Sequence, residues 1–259
     1  MFSGIVTCFN SMPHIEECLA SMRWVDELIV VDSFSTDGTA EAARRLADRF
    51  FQREYVSESG QRNWAIEQAS RDWIVMIDSD EVMPEALREE IRAAAAHPRY
   101  TRYKVYRRGI FLGREMKHGG WNRDKNNILF RKDIYRFDGA EVHSRLVPDR
   151  PFGILKNRLL HYTHRSIDEF IAKSNRYAAQ VARAYFRRGR RGTAARMFFH
   201  SVFNFSRNYI FRLGFLDGER GLISAVLSSS YVAEKYARLW DLSRKAGRGH
   251  GAGRDRPDR

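Results

Sequence analysis

Ile74-Val75-Met76-Ile77-Asp78-Ser79-Asp80-Glu81 is the stretch that decides how this chain folds. Four apolar residues without helical period read as a buried strand. The strand stops at two aspartates one residue apart, with a third acid behind them. Pro84 then opens a helix, because proline is tolerated at a first helical position. Carboxylates at the carboxyl end of a buried strand stand where open α/β sheets hold their ligands. Asp78 and Asp80 supply hard oxygen donors suited to Mg²⁺ or Mn²⁺, which take one or two carboxylates plus substrate phosphates. A solvated acidic turn is the plain alternative.

Upstream, strands and helices alternate. Gly4 to Phe9 reads as a strand, and Pro13 opens a helix through about Met22. Leu28 to Val31 is a second strand ending at Asp32. The polar turn Ser33-Phe-Ser-Thr-Asp-Gly-Thr39 leads into a helix reaching about Asp48. A short strand at Phe50–Arg53 and a helix over Gly60–Ala69 precede the Ile74 strand. The helix Pro84–Ala96 follows it. This alternation predicts an α/β fold, a mostly parallel sheet covered on both faces.

From Thr101 the pattern changes. Strands are expected at Tyr103–Arg107, Asn127–Arg131 and His143–Val147, with a glycine-rich loop at Gly113–Trp121. Helices are expected at Ser166–Arg187, Thr193–Arg212 and Gly218–Ser243, and disorder from Ala246. The division is a catalytic domain over 1–165, a basic, aromatic helical extension over 166–245 and a tail over 246–259.

Charge follows that division. Of the net +13, residues 166–259 carry 19 Lys/Arg against 8 Asp/Glu, and residues 1–165 carry 26 against 24. Such a basic segment calls for an anionic partner. Arg187, Arg188, Arg190 and Arg191 read as a solvated helix end, but phenylalanines and tyrosines interleave with arginines around them. That composition suits helices lying on an anionic membrane surface. The N-terminus reads as a strand, not a signal peptide, and no apolar run reaches the length of a spanning helix. Cys8 and Cys18 fit buried thiols in a reducing compartment.

Three strand ends converge in a parallel sheet: Thr7–Asn10, Asp32–Thr36 and Asp78–Asp80. Asp32 is placed to accept a hydrogen bond from a base or ribose, and Ser33 opens a turn rich in hydroxyls and amides. The dinucleotide fingerprint G-x-G-x-x-G and the phosphate loop G-x-x-x-x-G-K-[ST] are both absent. The pattern therefore favours a nucleotide-sugar site, in which a cation handles the phosphates. Trp121 is a candidate to stack on a sugar ring, with a core role as the alternative. His143 is a candidate metal ligand or phosphate-orienting residue. His161 and His164 read as packing and capping residues.

Thr7-Cys-Phe-Asn10, Val30-Val-Asp-Ser-Phe-Ser-Thr-Asp-Gly-Thr39, Gln61-Arg-Asn63 and Ile77-Asp-Ser-Asp-Glu81 together resemble the inverting GT-A glycosyltransferases of family 2. Phe111-Leu-Gly113, His118-Gly-Gly-Trp121, Leu129-Phe-Arg131, Lys173-Ser-Asn-Arg-Tyr177 and Gly214-Phe-Leu-Asp-Gly218 are similar to the lipopolysaccharide core β-1,4-glucosyltransferase branch. The resemblance spans about residues 2–243. It implies a GT-A fold, a UDP-sugar donor such as UDP-glucose and a Mg²⁺ or Mn²⁺ ion. Thr7, Asn10 and Asp32 would surround the base and ribose, with Ser33, Gln61 and Asn63 in the same substrate-binding set. Asp78 and Asp80 would hold the ribose and metal-bound diphosphate, Asp80 as the direct ligand. Inversion requires a carboxylate to take the acceptor's proton. The family usually shows Val-His-Glu; this chain has Val142-His143-Ser144, and Asn10-Ser11 in place of the usual Asn-Glu. Glu141 and Asp124 are the alternative candidate bases.

The leading expectation is a hexosyltransferase on the cytoplasmic face of the membrane, peripheral to it, acting on a lipid-anchored glycan such as the lipopolysaccharide core. A polypeptide acceptor is the nearest alternative. A non-catalytic nucleotide-sugar binder is raised by Ser11 and Ser144. A nucleic-acid-binding protein leaves Asp32, Asp78 and Asp80 unexplained and lacks any helix-turn-helix, zinc or RNP pattern, so no nucleic-acid partner is expected.

Overall fold

The computed structural model describes residues 1–249 other than 13 and 141–143; of residues 247–249 it describes the backbone alone. The N-terminal elements are β1 (Phe2–Cys8), α1 (His14–Met22), β2 (Glu27–Asp32), α2 (Thr39–Leu46), β3 (Arg49–Gln52), α3 (Glu58–Gln68), β4 (Trp73–Asp78), β5 (Glu81–Val82) and α4 (Glu85–Ala96). They are followed by β6 (Arg102–Phe111), β7 (Arg114–Glu115), β8 (Lys125–Arg131), β9 (Arg136–Phe137), β10 (Leu146–Val147), β11 (Gly153–Ile154) and β12 (Leu159–His164). The C-terminal helices are α5 (Ile167–Arg187), α6 (Ala194–Ser206) and α7 (Gly218–Gly249).

Two units are distinguished. One comprises Met1–Ile110 and Asn122–Thr163; the other comprises Phe111–Trp121 and the chain from His164 onward.

The first unit is built on a sheet of order β3-β2-β1-β4-β8-β6-β12-β5. β3, β2, β1 and β4 run parallel, and β8 enters antiparallel between β4 and β6. Successive strand side chains point to opposite faces, so each face carries its own core. Val6, Val30, Val75 and Ile77 pack with Leu19 and Met22 of α1 and with Leu87 and Ile91 of α4. Ile5, Ile29, Ile74 and Met76 pack on the other face with Ala65 and Ile66 of α3. Each fully buried Val, Leu, Ile or Met side chain among them contributes about 1.5–3 kcal/mol. Gly4 sits where a Cβ would lie 2.9 Å from both the Met22 and Val25 side chains, so a larger residue would push the end of α1 off the sheet. Pro84 is the cap before α4, one position earlier than the sequence suggests.

The second unit holds α5, α6, α7 and the segment 111–121. Ser166 caps α5 by accepting from the Glu169 amide at 3.0 Å, and Thr193 caps α6 through the Arg196 amide at 3.2 Å. Its small core joins Phe111, Met116 and Phe170, with Trp121, Ile223 and Leu227 against them. Two expectations are corrected here. The helix expected over Thr193–Arg212 ends at Ser206 and continues as one π-helical turn, Arg207–Phe211. α7 extends through Gly249, so the tail expected from Ala246 is helical for its first four residues; the rest lies outside the described residues. The glycine-rich loop expected in the catalytic part belongs to the helical unit, tied in by hydrogen bonds about a hundred residues apart in sequence: the His118 amide donates to Asp217 at 2.8 Å, and the Trp121 indole to Ser224 at 3.2 Å.

Candidate active site

The parallel register sets Thr7 beside Val31 on one side and Asp78 on the other, so β1, β2 and β4 end together. A cavity of about 170 Å³ opens there, with walls from Thr7, Phe9, Ser33, Tyr55, Gln61 and Arg62. Gln61 is buried and fixed: its amide donates to the Ser33 hydroxyl at 3.1 Å, and its oxygen accepts from Arg53 at 2.7 Å. Phe9 and Tyr55 keep about half their surface exposed and offer aromatic faces beside these polar groups. Phe9 stands inside the quoted Thr7–Asn10 stretch, whereas Tyr55, an isolated aromatic in a loop, carries no periodic signal. Cys8 also lines the cavity, but burial, with Asp32 next to it, pushes its thiol well up; it stays neutral and unreactive.

Asp32 is fully buried. Its carboxylate accepts from the Ser35 amide at 3.0 Å, the Ser35 hydroxyl at 2.5 Å and the Gln52 amide at 3.1 Å. It therefore shapes the turn after β2 from within. Asn10, at φ 48°, accepts from the Thr36 amide at 2.8 Å and donates its own amide to Ser35 at 2.8 Å, which ties the β1 and β2 loops together. Asparagine tolerates that left-handed backbone better than most residues. Asn63 faces away from these loops: its side chain exchanges two hydrogen bonds with the Phe137 backbone, at 2.7 and 3.0 Å, and anchors β9.

The acidic turn is a network of ion pairs. Asp78 meets Arg62 at 2.8 Å and Arg107 at 3.7 Å. Arg62 also pairs with Glu58 at 2.5 Å, lies over the Phe137 ring and donates to Ser144 at 3.4 Å. Burial works against its charge, yet Asp78 and Glu58 raise its pKa. Arg107 pairs in turn with Glu81 at 3.0 Å and with Asp124. A backbone hydrogen bond from Arg107 to Asp124, 3.1 Å long, sets Asp124 at the head of β8. Glu81 is fully buried in β5 and accepts from the Asp78 amide at 2.9 Å. Burial, reinforced by Asp78, pushes its carboxyl up to about 7 against the pull of Arg107 and His161.

Asp80 behaves differently. β5 pairs with β12 so that His161 lies opposite Glu81, and this brings the His161 ring nitrogen to 3.4 Å from the Asp80 carboxylate. His161, read as a packing or capping residue, thus faces the Asp80 carboxylate; His164 packs edge-on to Phe170 at 4.7 Å. Ser11, the departure from the usual acid, bonds Ser79 at 2.7 Å and holds the β1 loop against the acidic turn.

A cation fits Asp80 better than Asp78. Asp78, read as a shared ligand, lies between two guanidinium groups that already offset its charge. Among the described residues no three His, Cys, Asp or Glu side chains gather into a metal cage. An ion here would draw most of its ligands from substrate oxygens, as Mg²⁺ commonly does. His143 and Glu141 lie outside the described residues. Trp121 belongs to the helical unit, where its ring lies 5.5 Å from Phe111 and its N–H is used.

The model of glycosyl transferase family 2 matches residues 3–151, and the chain belongs to that family, with its GT-A fold. It is 29% identical over 250 residues to the lipopolysaccharide core biosynthesis glycosyltransferase LpsC of Rhizobium meliloti (strain 1021), covering 91% of this chain and 93% of that protein. An uncharacterized glycosyltransferase of Rickettsia bellii (strain RML369-C) is 25% identical over 256 residues, covering 93% and 86%. Among solved structures, S. aureus TarS 1-349 in complex with UDP-GlcNAc aligns over 96% of this chain and 92% of that one, at 16% identity and a TM-score of 0.47.

Proposed function

We propose that this glycosyltransferase moves a hexose, glucose in the first instance, from a UDP-sugar to a lipid-anchored glycan such as the lipopolysaccharide core, with inversion. The observation that carries the reading is the Thr7–Ser33–Gln61 cavity at the ends of β1 and β2, whose wall residue Arg62 pairs with Asp78 of the acidic turn that also carries Asp80. LpsC, similar over nearly its whole length, supports the acceptor class. Phe9 and Tyr55 would flank the uracil, and Thr7, Ser33 and Gln61 would meet its polar edge and the ribose. Asn10 and Asp32 would act by holding the loops. Arg62 and Arg107 would hold Asp78 in place for the ribose or diphosphate.

Asp124 is the base in this reading. It takes the proton of the acceptor hydroxyl as that oxygen bonds to the anomeric carbon. The bond from that carbon to the UDP oxygen breaks, and UDP leaves with the electron pair. A Mg²⁺ or Mn²⁺ ion on Asp80 would supply Lewis-acid stabilisation of the charge on the departing diphosphate.

The test is UDP release from a panel of UDP-sugars, with Mn²⁺ or EDTA, by wild type and Asp80→Ala. The acceptor is lipid-linked glycan from a strain lacking the protein. Metal-dependent release from one donor, lost in the variant, is the expected result. UDP-sugar binding without release would instead identify a non-catalytic binder, and absence of both contradicts the reading.

A further inference from the structure

We infer that α6 and the turn after it form a membrane-insertion surface for an anionic lipid bilayer. The inference rests on the lipid-anchored acceptor above and names where such an acceptor would be met.

α6 has one partly buried face of mixed character and one exposed apolar face. Met197, Ser201, Asn204 and Phe205, spaced i, i+4, i+7 and i+8, form the partly buried face, and the Ser229 hydroxyl donates to the Ser201 carbonyl at 2.6 Å. Phe198, Phe199, Val202 and Phe203 form the other. Their exposures are 62%, 67%, 47% and 59%, and no residue of α6 is buried. Phe211 and Phe215, in the turn that follows, are 76% and 45% exposed. Scattered exposed apolar residues are ordinary, but four on one helical face with two more beyond it are not.

Charge identifies the occupant. From Phe170 through Leu216 the chain has ten Lys/Arg and no Asp/Glu. Arg196 sits on α6, and Arg190, Arg191, Arg207 and Arg212 flank it. Arg190 and Arg191 lie over Tyr185 and Phe186, at 4.6 and 5.0 Å to the ring centres, and among the described residues neither pairs with a carboxylate. A second copy of this chain would bring the same positive charge to the contact and be repelled. A bilayer of anionic headgroups over apolar chains matches both features. Among the described residues no helix is long and apolar enough to cross a membrane, so the contact is interfacial.

The experiment is sedimentation of the full chain with phosphatidylcholine vesicles, with and without phosphatidylglycerol. Wild type should bind the anionic vesicles, and added salt should weaken the binding. The triple variant Phe198→Ser, Phe199→Ser, Phe203→Ser should bind at least about tenfold less, while keeping its circular dichroism and UDP binding. Arg190→Gln with Arg191→Gln should reduce the preference for anionic lipid. Equal binding to neutral vesicles, no binding, or wild-type binding by the triple variant would overturn the inference. So would a solution dimer that the triple variant dissociates. Vesicle binding without sugar transfer counts against the proposed function alone; transfer to a delipidated acceptor without vesicle binding counts against this inference alone.

Discussion

The buried arginines of the α/β unit and the cations around α6 of the helical unit meet different partners. In the α/β unit, arginines are drawn inward and matched: Arg62 with Glu58 and Asp78, Arg107 with Glu81 and Asp124, Arg102 with Asp149. In the helical unit Arg190, Arg191, Arg207, Lys235 and Arg244 lie on aromatic rings, and large apolar side chains are exposed on α6. A buried charge must be paired, and its partner is then held in place. An exposed charge is solvated and can meet a partner outside the chain. The first arrangement suits a site whose groups must be positioned; the second suits a surface.

The contrast can be broken first at Arg107. Arg107→Leu removes the cation beside Glu81, whose carboxyl already sits at about 7 and takes up a proton in response, so the stability loss in urea unfolding should be small at pH 6 and reach about 2–3 kcal/mol at pH 9. A loss below about 1 kcal/mol at pH 9 would mean that the network contributes little. Glu27 tests the same principle more gently. Burial opposes its charge, but hydrogen bonds from Ser3, the Ser70 amide, Arg49 and the Ser70 hydroxyl hold its carboxyl down to about 2. A depressed carboxylate contributes stability that is present above the ordinary value of 4.5 and lost as pH falls toward 2. Glu27→Gln should therefore lose about 2 kcal/mol at pH 7, and the difference from wild type should shrink between pH 4.5 and pH 2. An undiminished difference at pH 2 would assign the loss to packing. At the cavity, Tyr55→Ala should weaken UDP binding by about tenfold, measured calorimetrically, through loss of an aromatic face. The smallest effect is expected in the helical unit. Phe198→Ser with Phe203→Ser should change unfolding stability by no more than about 0.5 kcal/mol, since these rings are exposed. A loss of several kcal/mol would place them in a packed interface.

How much was legible in the sequence follows from the range of the interactions. The strands at Ile74–Asp78 and Leu28–Asp32 and the polar turn after Asp32 are local patterns, and they stand within a residue or two of their expected places. The acid cluster was visible, but the division of labour within it was not. Glu81 looks like one more solvated acid until β5 pairs with β12 and buries it opposite His161. Arg62 stands inside the quoted Gln61-Arg-Asn63 triplet, a signal that was available, whereas Arg107 lies in a strand of ordinary composition. Its partners Glu81 and Asp124 are 26 and 17 residues away. Asn63 shares Gln61's helix but points to β9, because neighbouring helical residues face different directions.

The most direct test of the site assigned to this strand-end crevice is turnover by Asp124→Asn with UDP-glucose and lipid-linked acceptor, beside calorimetric UDP binding by the same protein. The account predicts at least about a hundredfold loss in kcat with UDP affinity unchanged, as expected for removal of a base. Full turnover by Asp124→Asn would contradict the account.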